Sequence, residues 1–215
     1  MNFKVLRNVV IKGQVIEIDQ PFDDLNQSFT RVIVPNQGTY KVKIYSSNQA
    51  YIIEKIDSIP VDCVFFIGLQ RPQSAKRILF TAGSYGVRHL FFFTSENQRD
   101  EFLTSSVYRN PEPYLLAGME QSGNYRLPKV EIVEFDFMVY RLLHESNECV
   151  VFDKRGQRTL ESLFSAEVFV MGPEKGFSER ELKKMNEFRL ASLGEHIYRA
   201  FQIVEGVCFL KQLKI

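Results

Sequence analysis

The sequence predicts an α/β fold, with a small β module leading into an open, mostly parallel sheet that carries helices on both faces. Three observations carry that prediction. Near residue 61 the texture changes from short strands broken by turns to longer apolar strands alternating with amphipathic stretches. Residues 63–69 form a continuous apolar run, which a parallel strand covered on both faces requires. A helical pattern and a second β-branched, aromatic run follow, completing a strand, crossover helix and strand unit.

Taken in order, residues 9–11, 15–18, 30–34, 39–44 and 51–53 read as strands, separated by Lys-Gly, Asp-Asp, Pro-Asn-Gln-Gly and Ser-Ser-Asn turns. They suit a small β-barrel or sheet over residues 1–60. The second region, residues 61–215, opens with the strand at 63–69. Residues 73–85 then place Ala75, Ile78, Leu79 and Ala82 at helical spacing before a strand at 87–93. Further strands are expected at 129–134, 148–153, 166–171 and 189–193, with helices near 111–122, 158–164, 178–188 and 198–213. Such alternation of strands and helices gives a sheet covered on both sides.

Composition sets bounds on function. The 215 residues carry 27 Lys plus Arg against 26 Asp plus Glu, so the chain is not a broadly basic nucleic-acid coat. Hydrophobic residues make up 45%, with 19 Phe and 9 Tyr, enough to bury a sizeable core and to exclude intrinsic disorder. Apolar stretches such as 63–69 and 168–172 fall well short of the roughly 20 residues that cross a bilayer. Lys4 and Arg7 interrupt the N-terminal apolar residues, unlike a secretory signal, so a cytoplasmic protein is expected. Cys63, Cys149 and Cys208 lie far apart, and His89, His144 and His196 are not spaced to share a metal with them. No metal site is expected, and Cys63 and Cys208 fit reduced, buried thiols.

In open parallel sheets ligands bind beyond the carboxyl ends of the strands, so the loops there hold the candidate chemistry. Residues 171–178, Met-Gly-Pro-Glu-Lys-Gly-Phe-Ser, leave a strand and open a helix. The two glycines permit close backbone approach, and Ser178 with Glu181 has capping-box spacing. From spacing alone the stretch reads equally as a ligand loop or a plain tight connection. Neither G-x-G-x-x-G nor the phosphate loop G-x-x-x-x-G-K-S/T is present. Residues 192–199, Ser-Leu-Gly-Glu-His-Ile-Tyr-Arg, again run from a strand through a glycine into a helix, and the two loops suit two walls of one pocket. A third polar stretch, Glu-Gln-Ser-Gly-Asn-Tyr-Arg-Leu-Pro, spans residues 120–128.

Together, in this order and at these separations, the three stretches resemble the ribosomal small-subunit RNA methyltransferase E family, the 16S rRNA uridine N3-methyltransferases of the SPOUT superfamily. Family members carry E-Q-S-G-R-x-R-x-P, I-G-P-E-G-G-F-S and S-L-G-x-R-I-L-R-x-E-T-A. A weaker match joins Gln70-Arg71-Pro72 with Gly86-Val87.

The resemblance implies a SPOUT-type α/β knot, trefoil-knotted, with a PUA-like β-barrel before it, acting as a homodimer on ribosomal RNA or the small ribosomal subunit. It implies S-adenosylmethionine as cofactor, lined by Met171, Gly172, Pro173, Glu174, Gly176, Leu193, Gly194 and Ile197. By the same resemblance Arg199, Arg71 and Glu120 are catalytic candidates, and Arg126, Gln121 and Lys129 are candidates for gripping RNA. The chain departs from the pattern at Lys175, His196, Asn124 and the Ala200-Phe201-Gln202-Ile203 that replaces x-E-T-A.

Overall fold

The computed structural model describes residues 3–19, 21, 30–97, 100–145, 148–158, 161–194 and 198–213. Short strands with alternating buried and outward residues build a first sheet from β1 (Lys4–Val5), β2 (Val9–Lys12), β3 (Val15–Ile18), β4 (Thr30–Val34), β5 (Gly38–Ser46) and β6 (Gln49–Ile56). Their order is β1-β4-β5-β6-β3-β2, with β1 parallel to β4 and the other pairs antiparallel. The inward residues Ile16, Ile18, Val32, Val34, Val42 and Ala50 close on one another with Leu6 and Tyr40, so the sheet curls around a core of its own.

The second sheet contains β7 (Val64–Gly68), β8 (His89–Phe93), β9 (Lys129–Val133), β10 (Cys149–Arg158), β11 (Val168–Met171) and β12 (Arg189–Ser192). Its order is β12-β10-β11-β7-β8-β9, and every pair is parallel. Both faces are covered, which is why the strands are apolar throughout. Phe65, Ile67, Leu90, Phe92 and Phe169 point to one face, while Phe66, Phe91, Phe93, Val151 and Val170 point to the other. Each such side chain contributes on the order of 2 kcal/mol by leaving water.

Helices α1 (Pro72–Tyr85), α2 (Ser106–Arg109), α3 (Glu112–Ser122), α5 (Glu161–Ser165) and α7 (Ala200–Leu213) cover the first face. The opposite face is covered by α4 (Phe135–Glu145) and α6 (Glu179–Lys184). Gly118 lets α1 and α3 cross closely, since a Cβ there would lie 2.1 Å from the Phe80 carbonyl oxygen. Cys63 and Cys208 are buried free thiols, as expected. No helix among the described residues is long and apolar enough to cross a membrane.

Several elements differ from the sequence reading, and β1 and α2 were not expected. Helix α4 was not expected, although Phe135, Met138, Val139 and Leu142 are buried at helical spacing. β10 runs on to Arg158, where a helix had been expected to begin, because a four-residue excursion returns it to β12. Both Phe152 and Gln157 pair with Ala191 across that excursion. The helix expected over 178–188 is shorter, ending at Lys184.

The two sheets are fastened through the segment between α3 and β9. Thr39 Oγ1 donates to the buried Gly123 carbonyl at 2.7 Å, Asn36 N to Tyr125 O at 2.7 Å, and Leu127 N to Asn36 Oδ1 at 3.0 Å. The Phe3 ring lies directly over Gly123, where a Cβ would come within 2.5 Å of it.

Candidate active site

The carboxyl ends of β7 and β11 sit side by side in the middle of the sheet, and the loops leaving them touch. Gly68 ends β7 against the next loop so tightly that a Cβ would lie 2.5 Å from Pro173 N. The buried Gln70 then joins the two loops, its Nε2 donating to Gly68 O at 2.8 Å and to Gly172 O at 3.1 Å. Its main chain is held from α2. The Tyr108 hydroxyl accepts from Gln70 N at 2.8 Å and donates to Gln70 O at 2.7 Å. Burial pushes the Tyr108 phenol well above its usual range, so it stays protonated and keeps both bonds. At the surface Arg71 Nε meets Glu174 Oε1 at 2.7 Å, a further link between the same loops.

Within the β11 loop Met171, Pro173 and Phe177 are buried and face the core, whereas Glu174 and Lys175 are exposed. Gly176 takes φ 76°, closing a turn in which its N–H donates to Pro173 O at 2.8 Å. Ser178 caps α6 in the box its spacing predicted: Ser178 Oγ accepts from Glu181 N at 3.1 Å, and Ser178 N donates to Glu181 Oε2 at 2.8 Å.

The β12 loop forms the other wall. Ser192 Oγ accepts from Gly194 N at 3.2 Å, Gly194 has φ 114°, and Leu193 packs against the core on the helix α7 face. His196 and Ile197 lie outside the described residues. Arg199 is exposed just before α7, its N–H bound by Gln202 Oε1 at 2.9 Å. Within the β10 excursion, Arg155 grips Asp153 with Nε at 2.7 Å and Nη2 at 3.0 Å and reaches Glu179 at 2.7 Å. Burial opposes the Asp153 charge, but the Arg155 hydrogen bonds prevail and its carboxyl titrates below the usual range. Main-chain groups with room beside them therefore dominate the cradle, and cations stand at its rim.

The same stretch of chain is matched by a family model. An RNA methyltransferase domain covers residues 57–201. The chain belongs to that family. Ribosomal RNA small subunit methyltransferase E 1 of Borreliella burgdorferi is 29% identical over 132 residues, 58% of this chain and 55% of that protein. The chain thus spans just over half the length of that relative. Ribosomal RNA small subunit methyltransferase E of Treponema pallidum is 26% identical over 187 residues, covering 77% of this chain and 70% of its own. Among solved structures, the Neisseria gonorrhoeae methyltransferase E bound to S-adenosylmethionine superposes with TM-score 0.74 at 17% identity, over 99% of this chain and 98% of that one. A Legionella pneumophila protein with bound S-adenosylmethionine gives 0.76 at 14% identity, over 99% and 97%. Both share the fold.

Set in the family's frame, the residues expected from the sequence divide into two groups. Arg71, Met171, Gly172, Pro173, Glu174, Gly176, Leu193, Gly194 and Arg199 sit at or beside the carboxyl ends of the strands. Glu120, Gln121, Arg126 and Lys129 do not. They belong to the end of α3 and the entry to β9, at the amino end of the sheet. Five strand residues at about 3.3 Å each put roughly 15 Å between the two groups within one chain. The expected pairing of Glu120 with Arg71 and Arg199 in one catalytic centre is therefore not realised within a chain. Glu120 is exposed, Arg126 meets Asp62 at 3.1 Å, and Lys129 meets Glu131. Asn124, which stands where family members have Arg, is buried and donates to Gly83 O and Arg126 O, each at 3.0 Å.

Sequence reasoning missed Tyr108 and singled out Gln70 only as part of a weak match. Each acts through a contact made far along the chain, for which local pattern holds no signal. Among the described residues no group of His, Cys, Asp and Glu is arranged to hold a metal.

Proposed function

We propose that this chain methylates RNA, transferring the methyl group of S-adenosylmethionine to N3 of a uridine in 16S ribosomal RNA. The supporting observation is the joined pair of loops, in which Gly68 abuts Pro173 and Gln70 binds Gly172, inside the segment that matches the family. The cradle suits the cofactor: a Cβ on Gly176 or Gly194 would meet nothing within 4 Å, so both main chains border open space. Met171, Gly172, Pro173, Glu174, Gly176, Leu193 and Gly194 would hold it, with Ile197 as a further candidate. When bound, S-adenosylmethionine supplies an electrophilic methyl carbon.

The chain's own part is positioning and charge. Loss of the N3 proton leaves negative charge on the uracil ring, and Arg71 and Arg199 are the cations we assign to stabilise it. Glu174 holds Arg71 by one carboxylate oxygen, which fixes the guanidinium beside the cradle without burying it. The proton leaves to solvent. At the amino end Gln121, Lys129 and Arg126, next to the first sheet, form the surface we assign to the RNA backbone. Residues 1–60 act there as the PUA-like, RNA-gripping domain, and residues 61–215 as the SPOUT methyltransferase domain.

A trefoil knot in the β10 to α7 region is part of this reading, supported by β12 lying across β10 from β11. A homodimer is part of it too. Phe80 on α1 and Phe209 and Leu213 on α7 stay 40%, 54% and 66% exposed on helices that pack together, and a second copy would cover them. Action on ribosomal RNA places the protein in the cytoplasm.

Calorimetric titration with S-adenosylmethionine tests the proposal. Micromolar binding followed by methyl transfer to 16S RNA is the expected result, and silence up to millimolar concentration in folded protein would sink it. A second reading, a non-catalytic RNA- or ribosome-binding protein on the same scaffold, is favoured by Gln202, whose side chain caps Arg199 where family members carry a carboxylate nearby. Binding of RNA without binding of the cofactor would select it.

A further inference from the structure

We propose that Glu181 is a positioning residue of this site, latching the segment after β8 to the loop after β11 so that the cradle is shaped before a ligand arrives. The inference rests on the cofactor reading above.

Glu181 is the one carboxylate among the described residues that is fully buried, at 2% exposure. A charge removed from water requires donors, and three converge on it. Ser95 Oγ donates to Oε1 at 2.7 Å, Glu96 N to the same oxygen at 3.0 Å, and Ser178 N to Oε2 at 2.8 Å. Only the last is local. The other two reach across 86 and 85 residues of chain.

A capping box needs no such reach. In its ordinary form the acidic residue folds back onto its own helix start and leaves its other oxygen to water. Here the other oxygen receives a hydroxyl and a main-chain N–H from the turn that leaves β8. A parallel bond reinforces the join, Asn97 Nδ2 donating to Gly176 O at 3.1 Å. The β8 turn thereby braces the far end of the β11 loop, away from the end that Gln70 holds. Between them Gln70 and Glu181 hold residues 172–178 at both ends, and what lies between is the main chain assigned to the cofactor.

Two readouts on the full chain test this. The first is amide hydrogen exchange of ligand-free protein at residues 95–97 and 172–178. Glu181→Gln retains size but turns an NH2 toward donors, so exchange in both segments should rise about tenfold. Ser178→Ala removes only the acceptor for Glu181 N and should leave residues 95–97 as in wild type. Unchanged exchange at 95–97 in Glu181→Gln, or equal acceleration there in Ser178→Ala, would overturn the latch. Should Glu181→Gln not fold, Ser95→Ala withdraws one distant donor and leaves the cap. It should accelerate the same two segments, and its failure to do so overturns the latch equally.

The second readout is calorimetric affinity for S-adenosylmethionine. Glu181→Gln should weaken it about tenfold, while Val32→Ala, a destabilising change in the core of the first sheet, should not. Equal affinity in wild type and Glu181→Gln rejects the positioning role. Absence of binding in wild type instead rejects the cofactor reading, and the exchange experiment still decides whether the latch exists.

Discussion

The surface charges at the amino end of the parallel sheet and the buried polar side chains at its carboxyl end do different work. At the amino end charges meet one another at the surface: Asp62 lies 3.1 Å from Arg126 and 3.5 Å from Arg88, Arg88 lies 3.4 Å from Glu167, and Lys129 lies 2.5 Å from Glu131. At the carboxyl end Tyr108, Gln70 and Glu181 are buried and bind main-chain groups of the loops. Exposed ion pairs contribute about 0–1 kcal/mol and leave shape to the strands beneath. A buried donor or acceptor stripped of its partner costs roughly 1–3 kcal/mol and lets its loop move. The exposed pairs at the amino end should therefore tolerate substitution, and the buried braces at the carboxyl end should not.

The largest test of that contrast is Gly68→Ala. A Cβ would lie 2.5 Å from Pro173 N, so the β11 loop must shift, and we expect about 3 kcal/mol of lost stability together with lost cofactor binding. Gly118→Ala, 2.1 Å from the Phe80 carbonyl at the helix crossing, should lose a like amount of stability on denaturant titration yet keep its affinity. Affinity retained in both variants would break the comparison.

Next come the rim cations. Arg199→Ala should lower turnover about a hundredfold with the melting midpoint unchanged, and Arg71→Ala nearly as much. Arg126→Ala, at the other end, should raise the KM for RNA and spare kcat. Near-normal turnover in Arg199→Ala would remove it from the catalytic assignment.

Tyr108→Phe leaves both the N–H and the carbonyl of Gln70 without their partner, and chemical unfolding should register a loss of about 2 kcal/mol. Asp62→Asn touches only exposed pairs and should register less than about 1 kcal/mol. A reversal of that order would show that burial does not separate the two ends.

The smallest effect is one of pH. His89 stacks on Phe91, and burial holds its imidazole below the ordinary value of 6.5 despite Glu131 3.0 Å away, with Lys129 and Arg141 adding to the depression. The unfolded chain therefore takes up this proton more readily than the folded one. The stabilisation is complete above 6.5 and is lost as pH falls through the lower folded value. Melting midpoints measured downward from pH 7.5 should drop, and His89→Gln should flatten the drop.

Much of this fold was legible because its causes are local. The run at 63–69 became β7, the spacing of Ala75, Ile78, Leu79 and Ala82 became the buried face of α1, and Ser178 with Glu181 became a cap. Helix α4 escaped because Phe135 follows β9 after a single residue, with no glycine or proline to mark the change, and because its aromatic and branched residues also suit a strand. The β10 excursion escaped because its return to Ala191 depends on β12 lying beside it. At the candidate site, glycine spacing singled out the loop after β11, which the structure joins to the loop after β7. The braces at Tyr108, Ser95 and Gln70 span 38, 86 and 102 residues, distances that only the order of strands brings together. The distance of Glu120 from Arg71 and Arg199 within one chain was hidden for the same reason: the order of motifs along a sequence says nothing about which end of a strand each one occupies.

The bonds from Thr39 and Asn36 to the segment before β9 have a consequence for target choice. They are short, partly buried and flanked by Phe3 over Gly123, so the first sheet is carried as a fixed arm and not as a tethered one. A fixed arm works as a ruler. On the proposed reading, an RNA that engages the arm and offers a base to the far end of the second sheet must span a set distance and angle, and it costs none of the protein's own freedom in doing so. On that reading, selecting one nucleotide among many chemically identical ones becomes a matter of length measured by rigid protein.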